Sequence, residues 1–123
     1  MQNAAFSMSL AVKDLATSIS FYSDLGFEQM GGDTAHGFVI LRNGSTLIGL
    51  FQGMFEGNIL TFNPGWDQSA QEVEPFDDVR ALAARMKAAG VEIEQESGLD
   101  GDGPGSFVMR DPDGNVILID QHR

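Results

Sequence analysis

The sequence contains an approximate internal repeat, in which a helix with the same start and stop signals occurs twice. Asp14 and Asp78 stand 64 residues apart, and an Asp at a helix start accepts hydrogen bonds from the free N–H groups of the first turn. Gly26 and Gly90 each follow twelve residues later, and glycine readily adopts the left-handed conformation that ends helices. Two equivalent halves in so short a chain must share a core. The repeat therefore predicts a cleft lined by corresponding residues of both copies.

Alternation of apolar and polar residues predicts strands around each helix. Asn43-Gly44 is a two-residue hairpin signal, and the run from Asp111 to Asn115 has the Pro-Asp-Gly chemistry of a turn. The predicted strands include 6–12, 37–41, 46–51, 58–63, 91–94, 107–109 and 116–120. Each half then has the order β-α-β-β-β, over about residues 5–52 and 58–122 of a single domain, 1–123.

Composition limits the classes of partner and compartment. The chain has no Cys, which excludes disulfides, thiolate metal sites and Cys nucleophiles and is compatible with a reducing compartment. Its formal charge of −11 repels phosphate backbones and anionic lipids, so we expect neither nucleic acid nor membrane as a partner. The first residues show no secretory signal, and we predict a soluble, cytoplasmic protein. No Walker loop or dinucleotide fingerprint occurs, so no nucleotide cofactor is expected.

These features together resemble the vicinal oxygen chelate superfamily, which includes glyoxalase I, extradiol dioxygenases and bleomycin resistance proteins. The resemblance lies in the two β-α-β-β-β units, in the segments Val12-Lys13-Asp14-Leu15 and Leu25-Gly26-Phe27, and in the Asp111-Pro112-Asp113-Gly114-Asn115 turn. It implies an α+β fold in which two tandem βαβββ modules form a cupped, mixed eight-stranded sheet. It also implies a homodimer.

Enzymes of this superfamily bind a divalent metal through four strand positions. The resemblance places these positions at Ser7, Gly49, Ile59 and Leu118. Three of these side chains have no donor atom, and a neutral Ser hydroxyl alone binds divalent ions poorly. We therefore expect no metal and no other cofactor.

The resemblance then predicts a glyoxalase/bleomycin resistance-like protein that binds a small organic molecule in its cavity without a catalytic metal. Small, apolar and weakly polar side chains suit desolvation of an organic ligand. The only Trp of the chain follows a strand end and could cover the cleft, or serve as a packing or dimer contact. The predicted ligand-binding residues are Ser7, Ser9, Gly49, Ile59, Thr61, Trp66, Phe107, Met109, Leu118 and Asp120.

Two other functions stay open at this point. Asp120 and His122 share a strand face, so they are candidates for a base and its orienting carboxylate in a lyase or isomerase, or for a rearranged metal site with His36. The simpler interpretation is that both side chains belong to a strand end, where side chains are commonly solvated. A structural or regulatory module is the third possibility, and it predicts a cavity filled by Phe and Met side chains.

Overall fold

The computed structural model describes residues 1–123 and contains eight strands, two α-helices and one short 3-10 helix. The elements are β1 (Ala4–Val12), α1 (Leu15–Asp24), β2 (Glu28–Asp33), the 3-10 helix (Thr34–His36), β3 (Phe38–Asn43), β4 (Thr46–Gln52), β5 (Asn58–Pro64), α2 (Val79–Ala88), β6 (Gln95–Ser97), β7 (Gly105–Arg110) and β8 (Val116–Gln121). The strands are hydrogen-bonded in the order β2-β3-β4-β1-β5-β8-β7-β6. β1 and β4 run parallel and β3 and β4 antiparallel. The α+β class and the mixed eight-stranded sheet are thus confirmed.

The chain divides into two compact units. The first unit comprises residues 7–59, and the second comprises residues 1–6 and 60–123. The organisation of 1–123 as one domain stays a prediction. Neither α-helix has the length or apolar character needed to cross a lipid bilayer.

Both helices begin and end as the repeat predicts. The side chain of Asp14 accepts from the N–H of Thr17, and that of Asp78 from the N–H of Arg80. Gly26 and Gly90 both adopt positive φ angles, 111° and 88°. The N–H of the residue after each glycine bonds back to the helix, Phe27 to the Tyr22 carbonyl and Val91 to the Met86 carbonyl, at 3.0 Å in both copies. Since these partners are also 64 residues apart, the repeat extends to individual hydrogen bonds.

A glutamine from the last strand of each half also caps each helix, which the sequence analysis missed. Oε1 of Gln52 accepts from the N–H of Leu15 at 2.7 Å, and Oε1 of Gln121 accepts from the N–H of Val79 at 2.8 Å. Both N–H groups belong to the first turn, where no carbonyl within the helix can reach them. The signal was present as an apolar-x-Gln pattern at 50–52 and 119–121.

In the first unit, α1 packs on one face of its strands. The buried cluster contains Leu15, Phe27, Val39, Leu41 and Leu50, with Leu10, Val12, Ile19, Tyr22 and Ile48 partly buried against it. Register pairs Leu10 with Leu50 and Val39 with Leu50, so these side chains lie on the helix side of the sheet. The intervening residues of each strand lie on the opposite side, the helix-free face of the first unit.

The second unit repeats this arrangement around α2. Its buried cluster is Val79, Leu82, Ala83, Phe107 and Ile119, with Phe62, Ile93, Leu99, Met109 and Ile117 partly buried against it. The predicted strand at 91–94 is wrong: the ladder covers Gln95–Ser97, and only the N–H of Glu94 reaches the Val108 carbonyl before it. The alternation of apolar and polar residues over 91–94 has another cause. Ile93 packs on the core of the second unit without belonging to a strand.

Candidate functional site

The helix-free face of the first unit is built by residues that alternate with its core. Register places Gly49 of β4 beside Ser9 of β1 and beside Ile40 of β3. Ser7 lies on the same face two residues before Ser9, and both serines are buried. Ile59, the next predicted site residue, is partly buried in β5. None of these side chains offers an imidazole or a carboxylate to a metal.

Aromatic rings dominate this face, and the sequence analysis missed them. Phe38 and Phe51 are cross-strand partners, and their rings stack with centroids 5.5 Å apart and planes 3° from parallel. The ring of Phe55 packs on Phe51 at 5.2 Å. The sequence did contain a signal for them: side chains two residues apart in a strand lie on the same face, and Phe51 is two residues after Gly49. The face therefore presents a row of three phenyl rings.

The ring of Phe51 lies over Gly49, in the space that a side chain at position 49 would enter. A Cβ atom built at Gly49 would lie 2.6 Å from Cε1 of Phe51 and 3.3 Å from Cδ1 of Ile40. Distances under 3.0 Å force something to shift, so a longer side chain has no room here with the ring in place. The position matched to a metal ligand is thus occupied by the neighbouring phenyl ring.

The second unit has its own helix-free face, on β5, β7 and β8. Register pairs Val108 with Leu118 and Ser106 with Asp120. Thr61 alternates with Phe62, which packs on the α2 core, so Thr61 lies on the helix-free side and is buried there. This face is more polar than that of the first unit.

Phe107 and Met109 were predicted to bind the ligand, but both lie on the α2 side of the sheet. Phe107 is fully buried in the α2 core and pairs with Ile119, and Met109 packs on the same core and pairs with Ile117. Side chains alternate along a strand, so neither residue can share the face of Leu118. Val108 is the residue of β7 that lies beside Leu118.

Asp120, His122 and Trp66 form a contact cluster at the end of β8. Nε2 of His122 lies 3.2 Å from Oδ2 of Asp120. The indole of Trp66 stacks on the imidazole, with centroids 4.7 Å apart and planes 10° from parallel. The hydrogen bond to Asp120 raises the pKa of His122, and partial burial opposes this to a smaller extent. The imidazole is thereby biased toward its protonated form, although 46% of its side-chain surface stays exposed.

Arg123 holds the loop that carries Trp66. Its guanidinium donates to the carbonyls of Gly65 and Val73, both at 3.1 Å, and to the carboxylate of Glu74 at 2.6 Å. It also lies 4.4 Å above the ring of Phe76. These contacts fix both ends of the loop, and with it the indole that stacks on His122.

The rearranged metal site is not formed. No group of three or more His, Cys, Asp or Glu side chains is placed to hold a metal ion. His36 is an exposed residue whose Nδ1 lies 3.6 Å from Oδ2 of Asp33. With Ser7, Gly49, Ile59 and Leu118 at the four matched positions, the residues present do not fit a divalent metal.

A family model and solved structures match this arrangement. The model of the Glyoxalase/Bleomycin resistance protein/Dioxygenase superfamily matches residues 5–119. The chain therefore belongs to this superfamily, as the resemblance predicted. No curated protein gave a match.

Three solved structures show the same fold. A superfamily member from Vibrio splendidus 12B01 is 20% identical, with a TM-score of 0.67, over 97% of this chain and 99% of that one. The NAD-dependent benzaldehyde dehydrogenase from Legionella pneumophila is 19% identical, with a TM-score of 0.70, over 96% and 99%. The Mn(II)-bound glyoxalase from Novosphingobium aromaticivorans is 20% identical, with a TM-score of 0.59, over 94% of this chain and 37% of that one. At such identities the likeness shows the fold alone.

Proposed function

We propose that the protein binds a small, largely apolar organic molecule on the helix-free face of its first unit, without a catalytic metal. The observation that carries the proposal is the ring of Phe51 over Gly49, because it fills the space that a ligating side chain would need. The other matched positions, Ser7, Ile59 and Leu118, offer no strong donor either.

The chemistry of this face supports a planar ligand. The stacked rings of Phe38 and Phe51 are only partly buried, so a flat apolar molecule can cover them and remove their surface from water. Offset stacking on such rings contributes about 0.5–1.5 kcal/mol beyond the area that is buried. We further propose that the protein acts in the cytoplasm, since a chain without Cys needs no oxidising compartment.

A binding assay on matched variants tests this proposal. We expect Nile red, a neutral aromatic probe, to bind the protein with increased fluorescence and to bind Phe51→Ala about tenfold more weakly. Phe21→Ala is the control, because Phe21 is an exposed phenyl ring on α1, which packs on the other side of the sheet. Equal loss in both variants, or none in either, would contradict the proposed face.

Metal independence needs a separate measurement. We expect elemental analysis of the purified protein to find less than stoichiometric zinc, nickel, manganese and iron, and the melting temperature to be unchanged by their salts. A saturable rise of the melting temperature with one of these ions would refute the metal-free proposal, because a ligand that binds only the native state stabilises it.

A second candidate function is metal-free acid/base catalysis by His122 and Asp120. It is favoured by their 3.2 Å contact and by the raised pKa of His122, which suits a general acid at neutral pH. If a screen of small organic molecules finds a substrate, the pH profile should follow the His122 pKa, and His122→Gln should lose turnover while retaining binding. Unchanged turnover in His122→Gln would exclude this role.

A further inference from the structure

The helix-free face of the first unit carries a single arginine. Along β3, Val39 and Leu41 are buried in the core beneath α1. The alternate residues of this strand, Phe38, Ile40 and Arg42, therefore lie on the helix-free face. Arg42 is exposed and comes near the end of the strand. The face thus has a phenyl ring at one end of β3 and a guanidinium at the other.

Arg42 has no partner of opposite charge in the structure. The chain contains seven Lys and Arg residues. Those that form ion pairs are Arg80, Arg85, Lys87, Arg110 and Arg123. Lys13 lies in the turn between β1 and α1, so Arg42 is the unpaired cation that belongs to a strand. In a chain with 18 acidic residues, its guanidinium stays available to an anion from outside.

Strand spacing sets the distance between the guanidinium and the phenyl rings. Residues two apart in a strand are separated by about 6.6 Å along its axis. Ile40 pairs with Gly49, and the ring of Phe51 lies over Gly49. Arg42 follows Ile40 by two residues, so it stands about one such step from that ring. An aromatic ring stacked on Phe51 can therefore hold a carboxylate within reach of Arg42, provided that the carboxylate is bonded close to the ring.

We propose that the ligand of this face is a compact aromatic carboxylate, with its ring on Phe51 and its carboxylate on Arg42; this assignment rests on the function proposed above. A guanidinium is planar and donates two parallel hydrogen bonds to a carboxylate, so it orients the acid as well as attracting it. Stacking on the phenyl ring supplies the contact of an aromatic pair. A neutral aromatic molecule gains only the second contact, so Arg42 makes the face selective for the acid.

The acidity of the chain is compatible with a small anionic ligand. A formal charge of −11 repels polyanions. Salt screens this repulsion over about 8 Å at physiological ionic strength, so the charges nearest to a small monoanion dominate. Glu28 is the cross-strand partner of Arg42, and it is the carboxylate that opposes such a ligand. Asp33, the partner of Phe38, is engaged at the start of the 3-10 helix, where it accepts from the N–H of Ala35 at 2.9 Å.

Calorimetric titration with two matched probes tests the contact with Arg42. Naphthoate and naphthamide share their rings and differ in charge. We expect the wild type to bind naphthoate about fivefold more tightly than naphthamide, and Arg42→Gln to abolish this difference by weakening naphthoate alone. Arg85→Gln is the control, because it makes the same charge change at an exposed residue of α2, and it should leave both affinities unchanged.

A change of opposite sign gives an independent measurement. Glu28→Gln removes the carboxylate that opposes the ligand, so it should strengthen naphthoate binding about twofold and leave naphthamide unchanged. Both Arg42 and Glu28 are exposed, so neither substitution disturbs the buried core. Weaker naphthoate binding in Glu28→Gln would contradict the proposed contact.

Phe51→Ala separates this proposal from the one on which it rests. It should weaken both probes, because both stack on the phenyl ring. If it changes neither affinity, the helix-free face is not the binding site and both proposals fail. If it weakens both probes while Arg42→Gln leaves their ratio unchanged, the face binds aromatic molecules and the contact with Arg42 is refuted. Equal losses of naphthoate binding in Arg42→Gln and Arg85→Gln, or no binding of naphthoate by the wild type, would also overturn it.

Discussion

Replacing Gln121 by Leu removes a set of hydrogen bonds while keeping the side-chain volume similar. Gln121 is only 2% exposed. Its Oε1 accepts from the N–H of Val79 at 2.8 Å, and its Nε2 donates to Asp78 at 3.1 Å, to the Gly103 carbonyl at 3.1 Å and to the Arg123 carbonyl at 3.0 Å. Leucine satisfies none of these groups. The N–H of Val79 in particular would stay buried without a partner.

We expect Gln121→Leu to lower the free energy of unfolding by about 3 kcal/mol, since each buried hydrogen-bonding group left unpaired costs about 1–3 kcal/mol and the added apolar surface offsets part of the loss. Gln52→Leu is the matched control in the first half. Gln52 is exposed, and its side chain makes the one corresponding cap to Leu15, so we expect a loss of about 1 kcal/mol.

Urea denaturation measures both variants. With a typical slope, the midpoint of Gln121→Leu should fall by about 2 M and that of Gln52→Leu by less than about 1 M. Equal losses in the two variants would refute the reasoning, because they would mean that burial of the cap does not set its contribution.

Gln121→Leu should also change how the free energy of unfolding depends on pH in the acid range. Burial disfavours the charged form of Asp78, but hydrogen bonds from the Arg80 N–H, the Gln121 amide and the Arg80 guanidinium outweigh burial and lower the pKa of this carboxyl. A lowered folded pKa contributes stability above the unfolded value of 3.8, and that contribution is lost as pH falls through the folded pKa. The difference in the free energy of unfolding between the wild type and Gln121→Leu should therefore become smaller as the pH falls through the folded pKa of Asp78.

Three further outcomes are expected. Gly49→Ala should lower the unfolding free energy by about 1–2 kcal/mol, because its methyl group meets the phenyl ring above it, whereas Gly101→Ala, with nothing within 4 Å, should be neutral in the same urea assay. An NMR titration should find the His122 pKa above 6.5 in the wild type and lower in Asp120→Asn. The pair then stabilises the fold below pH 6.5, and this contribution is lost as pH rises through the folded pKa. Equal His122 pKa values in the two proteins would disprove the coupling. Arg123→Ala should speed proteolysis of the 65–76 loop, and unchanged cleavage would show that its hydrogen bonds do not hold that loop.

Much of the secondary structure was predictable because its causes are local. A helix cap depends on an Asp and on N–H groups two or three residues away, and the helix end depends on a glycine that takes a positive φ. The α+β class and the family followed from the repetition of these signals. The strand predicted at 91–94 was wrong because alternation shows only that one side is buried, and Ile93 is buried by packing rather than by pairing.

The candidate site was less predictable, since it depends on which residues of two neighbouring strands face the same side of the sheet after a turn. Leu118 and Asp120 share one face of β8, but the sequence does not state which residues of β7 face them. The turn from Asp111 to Asn115 sets that register, and it places Val108, not Phe107, beside Leu118.

The amino-acid sequence alone determined the helices, their capping residues, most of the strands and the absence of metal donors at the four matched positions. Only the tertiary structure decided that Gln121 caps a helix 42 residues away, that the ring of Phe51 lies over Gly49, and that Trp66 stacks on His122. The physical reason is how far apart in the sequence the interacting residues are. Backbone hydrogen bonds and side-chain periodicity act over a few residues, whereas burial and ring packing depend on strands and loops that meet only when the chain is folded.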